Sequence, residues 1–455
     1  MFMVALCKAP AVFAAAIALA VVVGPPVIAQ KFTAPARLNQ GDGAGWASAG
    51  IDAVGTATAV WAGGGGITFS SHPLNGAWTT PASFPAGTTI NPSLRVAASG
   101  AATVVTYDAA NIWVADKAVG GGWGAPTPIL TGVPLGNPFS PGVKPVQFLE
   151  NTAGDAAIVY RGGAGFPFIG VFRRTAGGQW TAQQSVPVPQ SNYITLSSAA
   201  IGEAGDVIVT WGNHEVSCTF RGCHDINFAI YAATSHAPGV AFVTSPALLA
   251  YPDSIVRSAI DPKGRAVVLA QYAGSQVIDA LVQPKPGGAW SASAAAYMSA
   301  TYHPQLAAAA AGAKGRATAI LFNPDNATGN VSFVDGNLST NAWTPPSNLS
   351  FADATPPVIA PQAAANAPGG AVAAWLDTDG TIRAATRKSA GAPWQTAQTL
   401  TTPDAGATAA CAAKFGLVWT CNVILGTAIN TDGHGVVLYQ QLQADGSSPL
   451  FAATN

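Results

Sequence analysis

The sequence predicts an all-β chain folded as one β-propeller of about eight four-stranded blades, seven being the alternative count. Three observations predict it. A phrase returns about every 50 residues: a small residue or Asp, a Gly, a short alternating apolar run, then an aromatic. A second phrase, a Gly-rich turn and a Trp, follows most copies. The two ends of the chain hold complementary parts of one repeat. Repeats of this length, made wholly of strands and turns, are the signature of a propeller.

The first phrase stands beside Gly55 as Thr56-Ala57-Thr58-Ala59-Val60-Trp61. It returns as Gly100 to Tyr107, Gly154 to Tyr160, Gly205 to Trp211, Gly264 to Tyr272, Gly315 to Phe322, Gly370 to Trp375 and Gly433 to Tyr439. Alternation over a few residues, bounded by Gly, Pro, Asn and Asp, is strand chemistry. Each such run is the second strand of a blade. Small-apolar runs before it, such as Leu94 to Ala98 or Ser258 to Ile260, are first strands. Ala307 to Ala311 falls at the same place and reads as a strand, not a helix. Third strands follow, among them Ile67 to Phe69, Ile169 to Phe172 and Ile382 to Thr386. The turn-plus-Trp phrase, for example Gly178-Gln179-Trp180, is assigned to the fourth strand. The recurring aromatics are read as packing between neighbouring blades, since a buried aromatic dominates such contacts.

Lys31 to Leu38 resembles the fourth-strand phrase Trp78 to Phe84 but precedes the first full repeat. The last repeat, from about Ala409 to Asn455, lacks a fourth strand. An N-terminal strand that completes the C-terminal blade would close the ring and remove an exposed edge. An outer-membrane barrel is disfavoured, because its strands need about 9–11 residues and aromatic girdles.

Residues 1–29 read as a secretory signal: Lys8, an apolar core from Ala11 to Val23, a break at Gly24-Pro25-Pro26, and a small-residue cleavage site at Val27-Ile28-Ala29. Residues 30–455 then form a single propeller domain, exported to the periplasm or the exterior. Cys7 is lost with the signal, and no transmembrane anchor is expected afterwards. Four cysteines remain as two close pairs, Cys218 with Cys223 and Cys411 with Cys421. In an exported chain an even count predicts disulfides, paired locally. A cysteine-only metal site lacks the double CxxC spacing.

Charged residues are 9% of the chain and the net charge is −1, against a usual charged fraction of about 25%. No block of Lys or Arg exists, which excludes the basic footprint of a nucleic-acid binder and electrostatic steering of a charged partner. No cofactor motif, catalytic motif or calcium loop is present. A monomer is expected.

The turn-plus-Trp phrase, in Ser71 to Trp78, Thr175 to Trp180 and Lys285 to Trp290, resembles a degenerate Asp-box, the Ser-x-Asp-x-Gly-x-x-Trp turn of the sialidase-like propellers. These copies keep the glycines and the Trp and lack the Asp. The resemblance spans about six repeats and implies a blade-stabilising turn, not catalysis. The Arg-Ile-Pro motif of active sialidases is absent, and their arginine triad and Tyr-Glu nucleophile have no match here, so the resemblance implies a non-catalytic member. Quinone-dependent eight-bladed dehydrogenases resemble it less, since adjacent cysteines are missing.

Glycoside hydrolysis needs two carboxylates, and the chain has three glutamates: Glu150, Glu203 and Glu215. Glu203 reads as a turn residue, at the place of Asp52 and Asp261, and Glu150 as its counterpart one repeat earlier. No residue is assigned a catalytic role. The segment Gly212 to Asp225 is the exception in a chain so poor in charge. It inserts between the second and third strands of the fourth repeat and holds His214, Glu215, Arg221, His224 and Asp225 beside Cys218 and Cys223. Function concentrates in loops on rigid scaffolds, so these residues are the expected ligand-binding set. A secreted binding or scaffold module with a glycan or protein ligand is expected. A divergent glycoside hydrolase and a structural envelope protein are the alternatives.

Overall fold

The computed structural model describes residues 31–455 apart from 40–45, 64–65, 86–89, 136–144, 164–166, 190–192, 220–221, 251–253, 273, 300–302, 313–314, 323–330, 350–358, 367, 378–379, 390, 404–405, 408, 410–421 and 446. The expected signal segment and Arg221 therefore lie outside the described residues. Cys411 and Cys421, expected to pair as a disulfide, also lie outside them, so that expectation is neither met nor overturned. The side chains of residues 214–227 are likewise outside the description.

The chain is an eight-bladed β-propeller. Eight antiparallel sheets follow one another; in six of them four strands come in plain up-and-down order, and a seventh, blade 6, adds a fifth strand. The eighth takes three strands from the C-terminus, Asn422–Ile429, Gly435–Gln441 and Leu450–Thr454, and its outer strand, Ala36–Arg37, from the N-terminus. The closing strand expected from the orphan repeat is thus present. Ala36 pairs with Ala452 and Arg37 with Phe451. Thr33 N donates to Thr454 O at 2.6 Å, Leu38 N to Leu450 O at 2.8 Å, and Leu450 N to Asn39 Oδ1 at 2.7 Å. Leu38 is buried against Leu438 and Leu450.

The first two strands of each blade are joined by a tight hairpin that needs a left-handed residue. Its glycines carry positive φ, from 71° at Gly315 to 96° at Gly154. In blade 1 the Gly55 amide donates to Asp52 O and the Asp52 amide to Thr56 O. That is a three-residue loop whose last position must be left-handed, a place only glycine fills at no steric cost. In blade 7 this residue is Gly369, not Gly370. The turn-plus-Trp phrase also moves. It lies in the connection ahead of the fourth strand, with Trp78 before Ala82–Pro85 and Trp180 before Gln184–Val186. In blade 6 the fourth strand is broken in two, Ala342–Trp343 and Ser347–Leu349, both paired with Val331–Asn337.

Hydrophobic burial is organised between blades. The described residues form eight apolar clusters, one at each interface between neighbours. The second-strand aromatic sets the fit. Counted from the turn glycine, Trp61, Tyr160, Trp211, Trp375 and Tyr439 stand six residues on and pack toward the preceding blade. Tyr107 and Phe322 stand seven on, so the pleat turns them to the following blade, where they meet Tyr160 and Trp375. Tyr160 lies over Gly170 of the next strand, where a Cβ would come within 2.5 Å of its ring.

Tyr272 departs from the expected packing role and is 41% exposed. It stands eight residues past Gly264, beyond the interface, and Ala270 occupies the packed position. The adjacent Gln271 is buried instead and accepts a hydrogen bond from Leu306 N at 2.9 Å.

Two interfaces carry the same polar clasp. Between blades 2 and 3, Arg174 donates to Asp116 at 2.8 Å and to Thr103, while Thr103 donates to Asp116 at 2.7 Å. Between blades 6 and 7, Arg387 reaches Asp335 at 3.2 Å and Thr318 at 2.7 Å, while Thr318 donates to Asp335 at 2.5 Å. Each guanidinium also sits on a turn tryptophan, Trp180 at 4.8 Å and Trp394 at 5.5 Å.

Candidate functional site at the axial channel

The first strands of all eight blades surround the ring axis and enclose a cavity of about 430 Å³. It lies toward the end of the ring where the first hairpin turns gather, since turn residues Ala98, Thr152, Glu203 and Thr431 line it. The pairing register makes the eight strands comparable residue by residue. Ile51 faces Ala57, Glu150 faces Ala156, and Ala365 faces Ala371.

Among the described residues that line the cavity, three charged side chains break this repetition, on three consecutive blades. Arg95 of blade 2 stands five residues before the turn glycine, where the other strands carry Gly50, Leu149 or an alanine such as Ala310. Glu150 of blade 3 stands four before it, where the others carry Ile51, Ile201, Ile260, Ile429 or a smaller aliphatic residue. Glu203 of blade 4 stands two before it, opposite Ala53, Ala98, Thr152, Pro262 and Thr431. Glu150 is therefore the last residue of its first strand, Val146–Glu150, and not a turn residue as expected. Asp52 and Asp261 correspond to Gly202, one position before Glu203.

The turns that hold this wall are tied to each other. Ala53 N donates to Ala98 O and Ala98 N to Thr152 O, both at 3.1 Å. Thr152 then gives its amide, at 3.2 Å, and its hydroxyl, at 2.5 Å, to Glu203 Oε2. Asn151 Nδ2 donates to Gly202 O at 3.0 Å. Glu203 is thus positioned by the blade before it.

Glu150 is held differently. Burial pushes its carboxyl from the ordinary 4.5 up to about 7. Arg174 and Arg95 pull it down, and Asp116 and Asp155 push it further up. Its Oε2 is shut off from solvent and makes no hydrogen bond among the described residues. Burial also lowers the Arg95 guanidinium, and Glu150 partly offsets this. Arg95 donates to Leu94 O at 2.9 Å. The site thus offers one guanidinium, one carboxyl that burial pushes up to about 7 and one carboxyl held by Thr152, on a wall of otherwise small residues.

The residues expected to bind ligand lie elsewhere. Residues 212–219 and 222–225 belong to a β-ribbon and not to a loop: the second strand runs Val207–Thr219 and the third Gly222–Ser235. Pairing continues through Val216/Asp225, Ser217/His224 and Cys218/Cys223, after a register shift between Asn213 and Glu215. Alternation in the sequence continues through this segment, and that sustains the ladder. His214 pairs with Tyr193 of the first strand, and Glu215 with Ile226. The ribbon reaches about 20 Å past the other second strands. Because the second strand starts at the turn Gly202–Gly205, it runs to Thr219 away from the end of the ring where the axial cavity lies. The structure does not bring His214, Glu215, His224 or Asp225 to Glu150 and Glu203. Among the described residues no group of His, Cys, Asp and Glu could hold a metal ion, and no helix is long and apolar enough to cross a membrane.

Arg95 escapes a reading of the sequence in chain order, because a lone Arg in a short strand looks like a solvated edge residue. Aligning the eight turns on their glycines is the signal that isolates it.

No family model and no curated protein matches the chain. Among solved structures it is similar to the Dos1 propeller, with 10% identity, TM-score 0.48, and 92% of this chain and 95% of that one covered. It is similar to the polysaccharide lyase Uly1, with 11% identity, TM-score 0.45, and 71% and 84% covered. It is also similar to the NanB sialidase from Streptococcus pneumoniae, with 9% identity, TM-score 0.36, and 88% and 90% covered. These are likenesses of fold at very low identity, and they carry no activity over to this chain.

Proposed function

We propose that the protein is a secreted, non-enzymatic binding module of sialidase-like type that takes a glycan or a protein-derived ligand at its axial channel mouth. One observation carries the reading. In a ring of equivalent small residues, Arg95, Glu150 and Glu203 stand on adjacent blades around one cavity of about 430 Å³, a volume in the range of ligand sites. The ribbon bearing His214, Glu215, His224 and Asp225 is a second contact surface in this reading, away from the axial mouth, and the expectation for Arg221 is carried with it on the sequence alone. The test is binding of the mature chain to a glycan array and to immobilised peptides, repeated with Arg95→Met and with the four-fold alanine variant at 214, 215, 224 and 225. Ligands lost only with Arg95→Met belong to the mouth, and ligands lost only with the four-fold variant to the ribbon. A ligand that survives both removes the reading.

A hydrolase reading draws on one feature: Glu150 and Glu203 line the same cavity, and an acid near 7 suits proton donation at neutral pH. A fluorogenic glycoside panel decides it. Turnover abolished by Glu150→Gln favours the hydrolase, and no turnover favours the binder.

A further inference from the structure

The channel mouth joins two unlike walls. Blades 2–4 bring Arg95, Glu150 and Glu203 to the cavity, and across the axis blades 6–8 present Ala310, Ala311, Ala364, Ala365 and Ile429. Among the described lining residues there is no aromatic ring, and these offer a ligand aliphatic contact and charge. The Glu150 carboxyl meets no donor among the described residues, and of its two oxygens it is Oε2 that is shut off from solvent, which leaves the other oxygen to the channel. Arg95 uses one donor on Leu94 O, and its remaining N–H groups make no hydrogen bond among the described residues.

We propose that this mouth binds an aliphatic α-amino acid as its zwitterion, with the carboxylate on Arg95, the ammonium on the open oxygen of the Glu150 carboxyl and the side chain against the alanine wall. The inference rests on the axial mouth being the binding site. Charge selects the class. A simple carboxylate would pair with Arg95 but meet two carboxyls. A simple amine would satisfy Glu150 and leave Arg95 desolvated without a partner, which costs affinity. A neutral sugar would hydrogen-bond to both groups and neutralise neither. A ligand carrying both charges meets both demands.

The carboxyl of Glu150 is near half-protonated at neutral pH. An ammonium beside it favours its ionised form, so binding releases protons around pH 7. The groups facing it are Arg174, Arg95, Asp116 and Asp155.

Isothermal titration of the mature chain with L-leucine, n-pentylamine, pentanoate and methyl galactoside tests the proposal. L-leucine should bind, and the amine and the carboxylate about tenfold more weakly or worse, the scale of one charge-assisted hydrogen bond. Heats in buffers of different ionisation enthalpy should report proton release at pH 7, lost in Glu150→Gln. Arg95→Met should weaken leucine about tenfold, and Arg95→Lys should keep part of the affinity if the Met variant does not fold. Absence of leucine binding, or leucine binding unchanged in Glu150→Gln and in both Arg95 variants, overturns the proposal. If leucine is silent while methyl galactoside binds and is lost with Arg95→Met, the zwitterion is wrong and the axial site stands. If array ligands bind and ignore both positions, the axial site falls as well.

Discussion

Removing the carboxylate from either of the two clasps should have unequal consequences. Arg387 is 0% exposed and Asp335 13%, so their attraction acts largely away from water. At 3.2 Å and an effective dielectric of about 20, the gross attraction is about 5 kcal/mol. Asp335→Ala leaves a buried guanidinium with only Thr318, Gly369 O and two aromatic faces. Stranding a buried charge costs about 3–5 kcal/mol. Asp116 in the other clasp is 53% exposed, and such a pair is worth about 0–1 kcal/mol. Urea unfolding of the mature chain, with wild type, Asp116→Ala, Asp335→Ala and the double variant Asp335→Ala/Arg387→Met, measures the difference. Asp335→Ala should be the least stable, and adding Arg387→Met should restore part of the loss, because no charge is then stranded. Equal losses from the two single variants, or a double variant less stable than Asp335→Ala, would refute burial as the deciding quantity.

A chain beginning at Gly41 loses the outer strand of blade 8 and the burial of Leu38, so it should melt well below the full mature chain; an equal melting temperature would show the clasp is dispensable. Glu150 should make stability pH-dependent. Between pH 4.5 and about 7 the folded chain keeps a proton that the unfolded chain has released, so stability is full below 4.5, falls as pH rises through the window and levels off above it. The drop is bounded at about 3 kcal/mol and lessened by solvent reaching this half-buried side chain; urea midpoints across pH 4–8 should slope less in Glu150→Gln. Tyr160→Ala should cost about 3–5 kcal/mol, and Tyr272→Ala no more than about 0.5, a contrast that thermal unfolding resolves. Cys218 and Cys223 face each other in the ribbon register, so alkylation without reductant followed by mass spectrometry should leave both unlabelled; labelling at either would exclude their bond. The same experiment reads Cys411 and Cys421, where local pairing rests on the sequence alone and a labelled thiol at either would overturn it.

The fold was legible because its causes are local. A left-handed glycine after a first strand and an alternating run after that glycine are both written within ten residues. The ring closure was legible because Lys31 to Leu38 and Leu450 to Thr454 are each incomplete alone. The aromatic rule failed at Tyr272 because the phrase contains an aromatic but not its count from Gly264, and a shift of one or two residues decides which blade it meets. The ribbon was misread as a loop because polar residues mask the alternation that carries its ladder. The axial charges were least legible. Arg95, Glu150 and Glu203 are far apart in sequence and sit at three different offsets from their glycines, so only closure of the ring makes them one wall.

The repeated clasp also gives the ring a second period. Blades 2 and 6 share the Thr-Asp pair and the aromatic seven residues past the turn, and blades 3 and 7 share the answering Arg and Trp. The molecule therefore repeats once per blade in shape and, in this clasp, once per four blades. Carried across that half-turn, Arg95, Glu150 and Glu203 fall on Ala310, Ala365 and Thr431. One half is written with charge and the other is left blank at the same three places. The blank half is a ready internal control, in which transplanting Arg, Glu and Glu to 310, 365 and 431 would build the second copy of a site that the ring's geometry already accommodates.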